Sequence, residues 1–418
     1  MGLLAAVGEP PPSPDARPAE PDATPVLRVD CAVVQARYRR LAAVLPGVDL
    51  HYAVKANPSP PVLRTLAGLR ARWDVASPGE IDAVLAIDPD PGHLSYGNPI
   101  KKAADIAAAA RRGVRRYTVD SPAELAKVSA HAPGAQILVR LSTSGAGADW
   151  PLGGKFGCPE REARTLLRTA AAAGHEVGIS FHVGTQQRDP GAWDGPLAAA
   201  GRLDRDLRGA GARLSTVNLG GGFPAGMLGR TQSAARYGQA IRDAVRRAFG
   251  AQPPALMAEP GRFLVADAGT LVSEVVLVSH RGGERWVYLD AGLFTGLVEA
   301  YGESLRYRLA VERTGGPFAS ATTEAILAGP TCDSLDVLYR RHRYRLPADL
   351  RPGDRVHFLS AGAYTASYST VGFNGFAPLR VEFTGSTGAG SAGAGSTGAV
   401  STGAVSTGAV STGAVSTG

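Results

Sequence analysis

The stretch Leu50-His51-Tyr52-Ala53-Val54-Lys55-Ala56-Asn57 joins a short, mostly apolar run to a lysine, and Pro58 follows it. The run predicts a buried strand that ends on Lys55 and presents one amine at the rim of a fold. A lysine in that place can hold an aldehyde cofactor as a Schiff base. A lone strand-end lysine is more often an ordinary solvated side chain, so the interpretation depends on the rest of the chain.

Short apolar segments alternate with Ala-rich helical segments on both sides of this stretch. After 49–55, the candidate strands lie at 72–76, 93–96, 115–119, 136–141, 177–183, 216–219 and 255–259. Two of the helical segments open with Ser-Pro-x-Glu, at Ser77 and Ser121, which predicts a serine N-cap followed by proline in the first turn. Eight strand–helix units over about 215 residues favour an α/β fold, a (β/α)8 TIM-like barrel, with a doubly wound sheet as the alternative.

Composition divides the chain into five parts. Residues 1–23 are Pro-rich and acidic and are expected to be disordered, and 24–44 hold a first strand and helix, the strand pairing with a later β domain. Residues 45–265 form the expected barrel, and 266–384 carry frequent strands and few helices, which predicts a mostly β domain. Residues 385–418 end in Ser-Thr-Gly-Ala-Val repeats and are expected to be a flexible tail.

Charge and cysteine content exclude several classes of protein. The net charge is +7, but the arginines are scattered, and no basic block carries interleaved aromatics, so no nucleic-acid partner is expected. Three cysteines without a CxxC motif predict a reducing, cytoplasmic setting rather than a disulfide framework. No run of 18 apolar residues exists, so no membrane partner is expected, and no metal site is predicted.

Chemistry-bearing residues follow several of the candidate strands. His182 lies in Phe-His-Val-Gly at the end of the sixth, Gly220-Gly221-Gly222 follows the seventh, and Glu259-Pro-Gly-Arg262 ends the eighth. In a barrel, the carboxyl ends of the strands form the functional rim, and a phosphate site after the last two strands recurs there. Successive glycines let backbone N–H groups approach phosphate oxygens, and an arginine adds a charged contact. Each motif alone is weak evidence, but their shared position on one rim predicts a phosphate site.

The chain resembles the pyridoxal-phosphate-dependent decarboxylases with an alanine-racemase-like barrel, which include ornithine, lysine, arginine and diaminopimelate decarboxylases. The resemblance extends from about 24 to 383, and it is closest to the bacterial ornithine/lysine branch. It is carried by Tyr52-Ala-Val-Lys-Ala-Asn57, Lys155-Phe-Gly157, Phe181-His-Val-Gly184, Gly220-Gly-Gly-Phe-Pro224, Ala258-Glu-Pro-Gly-Arg262, Gly329-Pro-Thr-Cys-Asp333 and Gly362-Ala-Tyr364.

The resemblance implies the cofactor pyridoxal 5'-phosphate and a role for each matching residue. Lys55 would bind the cofactor aldehyde, His182 would stack on its ring, and Glu259, supported by Arg140, would bind the ring nitrogen. Cys332 and Asp333 would reach the active site of a partner subunit, which implies a homodimer with shared sites. The residues that would hold the phosphate are Thr185, Gly220, Gly221, Gly222, Arg262 and Tyr364.

The implied chemistry is physically consistent. Loss of CO2 leaves an electron pair on the α-carbon, and a protonated pyridine ring, stabilised by a carboxylate, can accept it. The α-carbon then needs a proton, and a thiol such as that of Cys332 is a competent donor. A lone cysteine is more often a small buried hydrophobe, but the motif Gly-Pro-Thr-Cys-Asp favours the catalytic interpretation.

The substrate is expected to be a basic L-amino acid, ornithine first or lysine, because the Cys332-Asp333 pair resembles that branch. Asp333 is the candidate anion for the distal ammonium. One departure concerns Gly302, which stands where the branch has a second acid. Either Glu303 binds the substrate instead, or the substrate is larger or lacks a simple terminal amine; a solvated charge is the equal alternative for Glu303. The alternatives are therefore a decarboxylase of a modified or carrier-linked amino acid, a diaminopimelate decarboxylase, a racemase, or a non-catalytic relative that binds a partner.

Overall fold

The computed structural model describes residues 23–313 and 315–385. The expected disordered N-terminal segment and flexible tail therefore lie almost entirely outside the described residues. The described part begins with one strand and one helix and then mostly alternates strands with helices as far as residue 265. The strands are β1 (Val26–Asp30), β2 (Val48–Ala53), β3 (Arg72–Val75), β4 (Leu94–Tyr96), β5 (Arg116–Val119), β6 (Gln136–Arg140), β7 (Ala148–Trp150), β8 (Glu176–Ser180), β9 (Thr185–Gln187), β10 (Thr216–Asn218), β11 (Ala255–Ala258), β12 (Gly269–Arg281), β13 (Glu284–Leu289), β14 (Arg308–Glu312), β15 (Thr322–Ala328), β16 (Val337–Pro347), β17 (Arg355–Leu359) and β18 (Arg380–Thr384).

All the α-helices of the described residues precede β12 in the sequence. They are α1 (Cys31–Val44), α2 (Pro60–Ala67), α3 (Pro78–Leu85), α4 (Ala103–Arg111), α5 (Pro122–His131), α6 (Glu160–Ala172), α7 (Asp194–Gly209), α8 (Ala234–Phe249) and α9 (Arg262–Val265). None of the helices in the described ranges combines the length and the apolar character needed to cross a membrane.

Eight parallel strands close into a barrel in the order β2-β3-β4-β5-β6-β8-β10-β11. The barrel closes where β11 pairs with β2, with Leu256 opposite Val48. This arrangement confirms the (β/α)8 expectation and excludes the open doubly wound sheet. Because all strands are parallel, their carboxyl ends meet on one rim. The short antiparallel pair β7–β9 follows β6 and β8 at that rim.

The helix starts expected from sequence are confirmed. The Ser77 hydroxyl accepts a hydrogen bond from the Glu80 N–H at 3.2 Å, and the Ser121 hydroxyl accepts one from the Glu124 N–H at 3.4 Å. Each serine satisfies a backbone donor that the first turn of a helix leaves without a partner. These caps fix where the chain turns from strand into helix and so help to define the carboxyl rim.

A second, mixed sheet follows the barrel in sequence. Its strands run in the order β14-β17-β12-β13-β15-β16, and β1 lies between β12 and β18. β1 pairs antiparallel with β12 and parallel with β18, so the start of the described chain forms part of the β domain. The buried side chains of the barrel and of this sheet belong to one continuous core.

Candidate active site

Lys55 lies just beyond the first barrel strand. β2 ends at Ala53, and 54–56 form a single 3-10 turn, so the predicted strand was two residues too long. Val54 and Ala56 are buried, whereas the Lys55 side chain is accessible to solvent. The turn therefore directs the apolar neighbours into the core and leaves the amine in an open position on the carboxyl rim.

The β domain holds this turn in place. The Tyr364 N–H donates to the Ala56 carbonyl at 2.7 Å, and the Asn57 side-chain amide donates to the Gly362 carbonyl at 3.0 Å. Tyr364 has a φ of +56°, a left-handed conformation that costs free energy for a residue with a side chain. The contact between the two domains thus places a tyrosine beside the lysine turn.

Asp74 is a site residue that sequence reasoning missed. It lies in β3 directly opposite Ala53 of β2, and only 7% of it is exposed. A Cβ on Gly97 would lie 2.1 Å from Asp74 Oδ1 and 3.4 Å from Glu259 Oε1, so Gly97 leaves the space that the two carboxylates occupy. An acidic residue within an apolar strand was the available signal, since buried carboxylates are rare without a partner.

The electrostatics of this cluster favour bound protons. Burial, together with the nearby Glu259 carboxylate, raises the pKa of Asp74 well above its ordinary value. Desolvation opposes the charged form of Lys55, but Asp74, Tyr364 and Glu259 outweigh it and raise the pKa of the Lys55 amine. Lys55 therefore has acidic groups beside it with which its amine can exchange a proton.

Glu259 follows the last barrel strand, and Asn218 holds it. The Asn218 side-chain nitrogen donates to Glu259 Oε1 at 2.5 Å, and its oxygen accepts from the Gly220 N–H at 2.9 Å. One amide thus orients both the carboxylate and the start of the glycine loop. Sequence reasoning missed Asn218 too, although a polar residue in a buried strand just before Gly220 was a signal. Arg140 ends β6; burial lowers its pKa, and Glu259 acts against that effect.

His182 lies two residues beyond β8, against the glycine loop. Its Nδ1 accepts a hydrogen bond from the Gly184 N–H at 3.1 Å, and a Cβ on Gly221 would lie 3.0 Å from its Nε2. Burial, together with the positive charges of Arg140 and Lys55, lowers the pKa of His182 to about 3. The ring is therefore neutral near pH 7 and offers a flat, uncharged face on which an aromatic ring can stack.

Arg262 offers unused donors at the first turn after the last barrel strand. Its side chain is 5% exposed, yet Nε and Nη1 have no hydrogen-bond partner among the described residues. Its Nη2 donates to Glu299 Oε1 at 2.5 Å, and the Tyr364 ring centre lies 5.0 Å from its guanidinium carbon. Buried donors normally have acceptors, so these nitrogens fit a bound anion such as a phosphate. Glu299 is a third residue that sequence reasoning missed.

The glycine loop beside Arg262 tolerates no side chains. A Cβ on Gly220 would lie 2.0 Å from the Phe181 carbonyl oxygen, and Gly222 has a φ of +93°. The Gly222 carbonyl accepts from the Gln187 N–H at 2.9 Å, which ties the loop to β9, the strand that Thr185 opens. The free arginine nitrogens and the close-packed glycine backbone together fit the phosphate of pyridoxal phosphate, with Tyr364 and Thr185 on the neighbouring segments.

Cys332 and Asp333 lie on an exposed turn of the β domain. Cys332 Sγ is 3.5 Å from Asn374 Oδ1, which also accepts from the Cys332 N–H at 3.3 Å. Asp333 Oδ1 accepts from the Leu335 N–H at 2.9 Å. Among the described residues of one chain, no hydrogen bond or ion pair joins this turn to Lys55. The structure thus brings the barrel residues together, whereas no such contact in the described chain joins these two residues to them.

Glu303, a candidate substrate ligand from sequence, has its carboxylate bound within the chain. Its carboxylate accepts hydrogen bonds from three consecutive main-chain N–H groups of β16, those of Arg340, Arg341 and His342, at 2.7–2.9 Å. These donors lie where the pairing of β16 with β15 shifts register. Both carboxylate oxygens therefore accept hydrogen bonds from main-chain N–H groups that the irregular strand pairing leaves free. A Cβ on Gly302 would have only Ser304 Oγ within 4 Å, at 3.9 Å, so the position of the expected acid is open space.

Comparison with known proteins agrees with this arrangement. The family model described as "Pyridoxal-dependent decarboxylase, pyridoxal binding domain" matches residues 31–266. A lysine/ornithine decarboxylase of Selenomonas ruminantium is 36% identical over 355 residues, 84% of this chain and 88% of that protein. The structure also resembles a lysine/ornithine decarboxylase of Vibrio vulnificus solved with cadaverine (TM-score 0.77, 33% identity, 87% and 95% of the two chains). It resembles an arginine decarboxylase of Paramecium bursaria Chlorella virus as well (TM-score 0.80, 29% identity, 87% and 97%).

The low pKa of His182 predicts a measurable acid sensitivity. In the unfolded chain a histidine has a pKa near 6.5, whereas His182 in the native state has a pKa of about 3. Between these two pH values the unfolded state therefore binds a proton that the native state does not bind. Stability contributed by neutral His182 is thus present above pH 6.5 and lost as the pH falls, by on the order of 1 kcal/mol per pH unit. We expect His182→Phe to flatten the decline of unfolding free energy between about pH 6.5 and 4, measured by denaturant titration. His280→Gln, at the exposed end of β12, should leave the decline unchanged; equal slopes for all three proteins would contradict the assignment.

Proposed function

Because this chain belongs to the pyridoxal-dependent decarboxylases, we propose that it removes the α-carboxylate of a basic L-amino acid as CO2. Ornithine is the first expected substrate, giving putrescine, and lysine is the second, giving cadaverine. One observation carries the proposal: an accessible lysine amine lies beside two carboxylates on the same rim as an arginine with free nitrogens. The named relatives, two lysine/ornithine decarboxylases, support this substrate class.

Each barrel residue has a part in holding the cofactor. Pyridoxal phosphate, when bound, supplies a pyridine ring that accepts the electron pair left on the substrate α-carbon. Lys55 Nζ would hold the aldehyde carbon and give it up to the substrate amine. Glu259, fixed by Asn218 and accompanied by Arg140, would keep a proton on the ring nitrogen. Neutral His182 would pack on the ring face, and Arg262, Tyr364, Thr185 and the glycine loop would bind the phosphate.

The same cluster exchanges protons with the reacting amines. The Lys55 amine must lose a proton before it can displace the product, and Asp74, whose pKa is raised, is placed to accept and return it. The α-carbon must gain a proton after CO2 departs, and the exposed thiol of Cys332 is the proposed donor. Asp333, on the same turn, is the proposed anion for the distal ammonium of the substrate.

We further propose that the enzyme is a homodimer in which Cys332 and Asp333 serve the partner's barrel. Within the described residues of one chain, no hydrogen bond or ion pair joins their turn to Lys55. Several large apolar side chains near that turn and on the loop that contacts it are exposed: Leu335, Tyr368, Val371 and Phe376. A subunit interface would cover such a surface. A cytoplasmic setting fits this assignment, because an exposed catalytic thiol must stay reduced and none of the three cysteines is paired.

A second candidate substrate class follows from the space at Gly302. Neither Gly302 nor the engaged Glu303 offers a free carboxylate, so the distal site has fewer anions than a two-acid site for a diamino acid. A modified or carrier-linked amino acid, longer than ornithine, would need less negative charge and more room. This candidate keeps the same chemistry at Lys55.

The proposed reaction is tested by incubating the purified enzyme, loaded with pyridoxal phosphate, with ornithine, lysine, arginine and diaminopimelate. Released CO2 and amine are the readouts. We expect amine from ornithine or lysine, a loss of at least about 100-fold in Lys55→Ala, and no loss in Lys102→Ala, a surface lysine. Borohydride reduction and peptide mapping should place the label on the peptide containing Lys55. A label on another lysine would overturn the assignment, and turnover of none of the four amino acids would favour the second candidate class.

Gly302→Asp tests the distal site directly. The backbone at 302 has a φ of +65°, which aspartate tolerates better than most residues, and a Cβ there meets no close neighbour. If a substrate ammonium approaches this point, the added carboxylate should lower the KM for ornithine or lysine by about 10-fold. Gly302→Asn has the same shape without the charge and is the matched control. Identical KM values for the two variants would show that the ammonium does not reach residue 302.

The shared-site dimer predicts complementation between two inactive proteins. Lys55→Ala and Cys332→Ala each lack a different half of every site. In a dimer of one chain of each, one of the two sites is intact. Random mixing should therefore restore about a quarter of wild-type activity. Analytical ultracentrifugation of each variant provides the control for assembly. A mixture without recovered activity, although exchange between dimers is shown by labelled chains, would contradict the shared site.

A further inference from the structure

Glu299 lies next to the proposed phosphate site, bound to Arg262. Its side chain is only 4% exposed, and its Oε1 accepts a hydrogen bond from Arg262 Nη2 at 2.5 Å. Its second oxygen, Oε2, is buried and has no hydrogen-bond partner among the described residues. A buried carboxylate oxygen without a donor is unfavourable, since its lost hydration is not replaced.

Among the described residues, Arg262 supplies the positive charge that acts on Glu299. The other titratable groups that interact with Glu299 are the phenols of Tyr307, Tyr364 and Tyr368. Lys55 acts on Tyr364 and Tyr368. Without further ligands, the Glu299 carboxylate and the Arg262 guanidinium neutralise each other. A phosphate with two negative charges on the same guanidinium would leave a buried excess of negative charge.

We propose that Glu299 takes up one proton when the phosphate of the cofactor binds Arg262. The proton comes from solvent and forms an O–H bond at Glu299 Oε2. The phosphate then replaces the Glu299 carboxylate as the negative charge that pairs with Arg262. The proton converts the unsatisfied acceptor into a donor and removes one of the buried negative charges. The proposal rests on the proposed function, since it takes Arg262 as the phosphate ligand.

A property of the free protein supports this exchange. Burial raises the pKa of Glu299 above its ordinary value even though the Arg262 guanidinium opposes the shift. A second anion on that guanidinium acts in the same direction as burial. Glu299 belongs to the β domain, in the segment 298–303, whereas Arg262 lies in α9 of the barrel. The proton would therefore be taken up where the two domains meet.

The test compares the affinity of the apoprotein for pyridoxal phosphate with its affinity for pyridoxal, which lacks the phosphate. Both affinities are measured between about pH 7 and 9, where the phosphate carries close to two charges. The ratio of the two affinities cancels titrations that the ring and the aldehyde share. If binding takes up one proton, the affinity for pyridoxal phosphate relative to pyridoxal should fall as the pH rises, by up to about 10-fold per pH unit. Calorimetry in two buffers of different ionisation enthalpy should count one more proton taken up for pyridoxal phosphate than for pyridoxal.

Variants identify the group that titrates. Glu299→Gln should give a ratio that does not change with pH and should take up no additional proton. Asp354→Asn is the matched control, because Asp354 is 2% exposed and pairs with Arg313 at 2.8 Å, at the end of β17 away from Tyr364. It should retain the wild-type slope. If Glu299→Gln does not fold, the calorimetric proton count of the wild-type protein still tests the proposal, because a count equal for both ligands would contradict it.

The outcomes separate the two levels of the proposal. A wild-type ratio that stays constant with pH, or a Glu299→Gln slope equal to that of wild type, overturns the role of Glu299 alone. Equal affinities for pyridoxal phosphate and pyridoxal at every pH would mean that Arg262 and the glycine loop bind no phosphate, which overturns the proposed function as well.

Discussion

The site depends on keeping two carboxylates close to one lysine amine at the rim of an apolar barrel. Asp74 and Glu259 would repel each other there if both were ionised without a cation, and Lys55 and Arg140 supply the opposing charges. The balance of two acids and two bases is what permits these groups to lie together. It also favours proton exchange, because the pKa values of Lys55 and Asp74 depend on the charges around them.

The surrounding structure serves to fix those charges. Gly97 lacks the side chain that would displace Asp74. The side-chain amide of Asn218 donates to Glu259 and also accepts a hydrogen bond from the Gly220 N–H of the glycine loop. The β domain contributes Tyr364 and holds the Lys55 turn through the main chain. These contacts come from both domains, so the geometry around Lys55 forms only when the two have packed together. The strained backbone of Tyr364 is consistent with a position imposed by that packing.

Sequence reasoning predicted the placement of candidate site residues where that placement follows the order of strands along the chain. Lys55, His182, Glu259 and Arg262 each follow a barrel strand, and the parallel topology alone brings strand ends to one rim. Asp74, Asn218 and Glu299 escaped notice because their importance lies in partners distant in sequence. The hydrogen bonds of the Glu303 carboxylate within the chain were not foreseeable for a related reason. A bulge in β16 exposes three main-chain donors, and no local pattern shows that a carboxylate nearly forty residues earlier would accept from them.

The residues proposed to hold the cofactor and those proposed to contact the distal end of the substrate lie in different parts of this molecule. The barrel residues around Lys55 lie at or next to strand ends and act on one another electrostatically, so a change in any of them disturbs the charge balance of the rest. Residues 302 and 303 and the turn of Cys332 and Asp333 instead belong to exposed segments of the β domain, joined to the barrel cluster by no hydrogen bond or ion pair in the described chain. An acid can thus be lost at 302, and its neighbour Glu303 can be used to close a bulge, without altering how the barrel holds its lysine. The departure from the ornithine/lysine pattern at Gly302 therefore bears on which amino acid enters the site, while the chemistry at the α-carbon depends on contacts that this departure leaves intact.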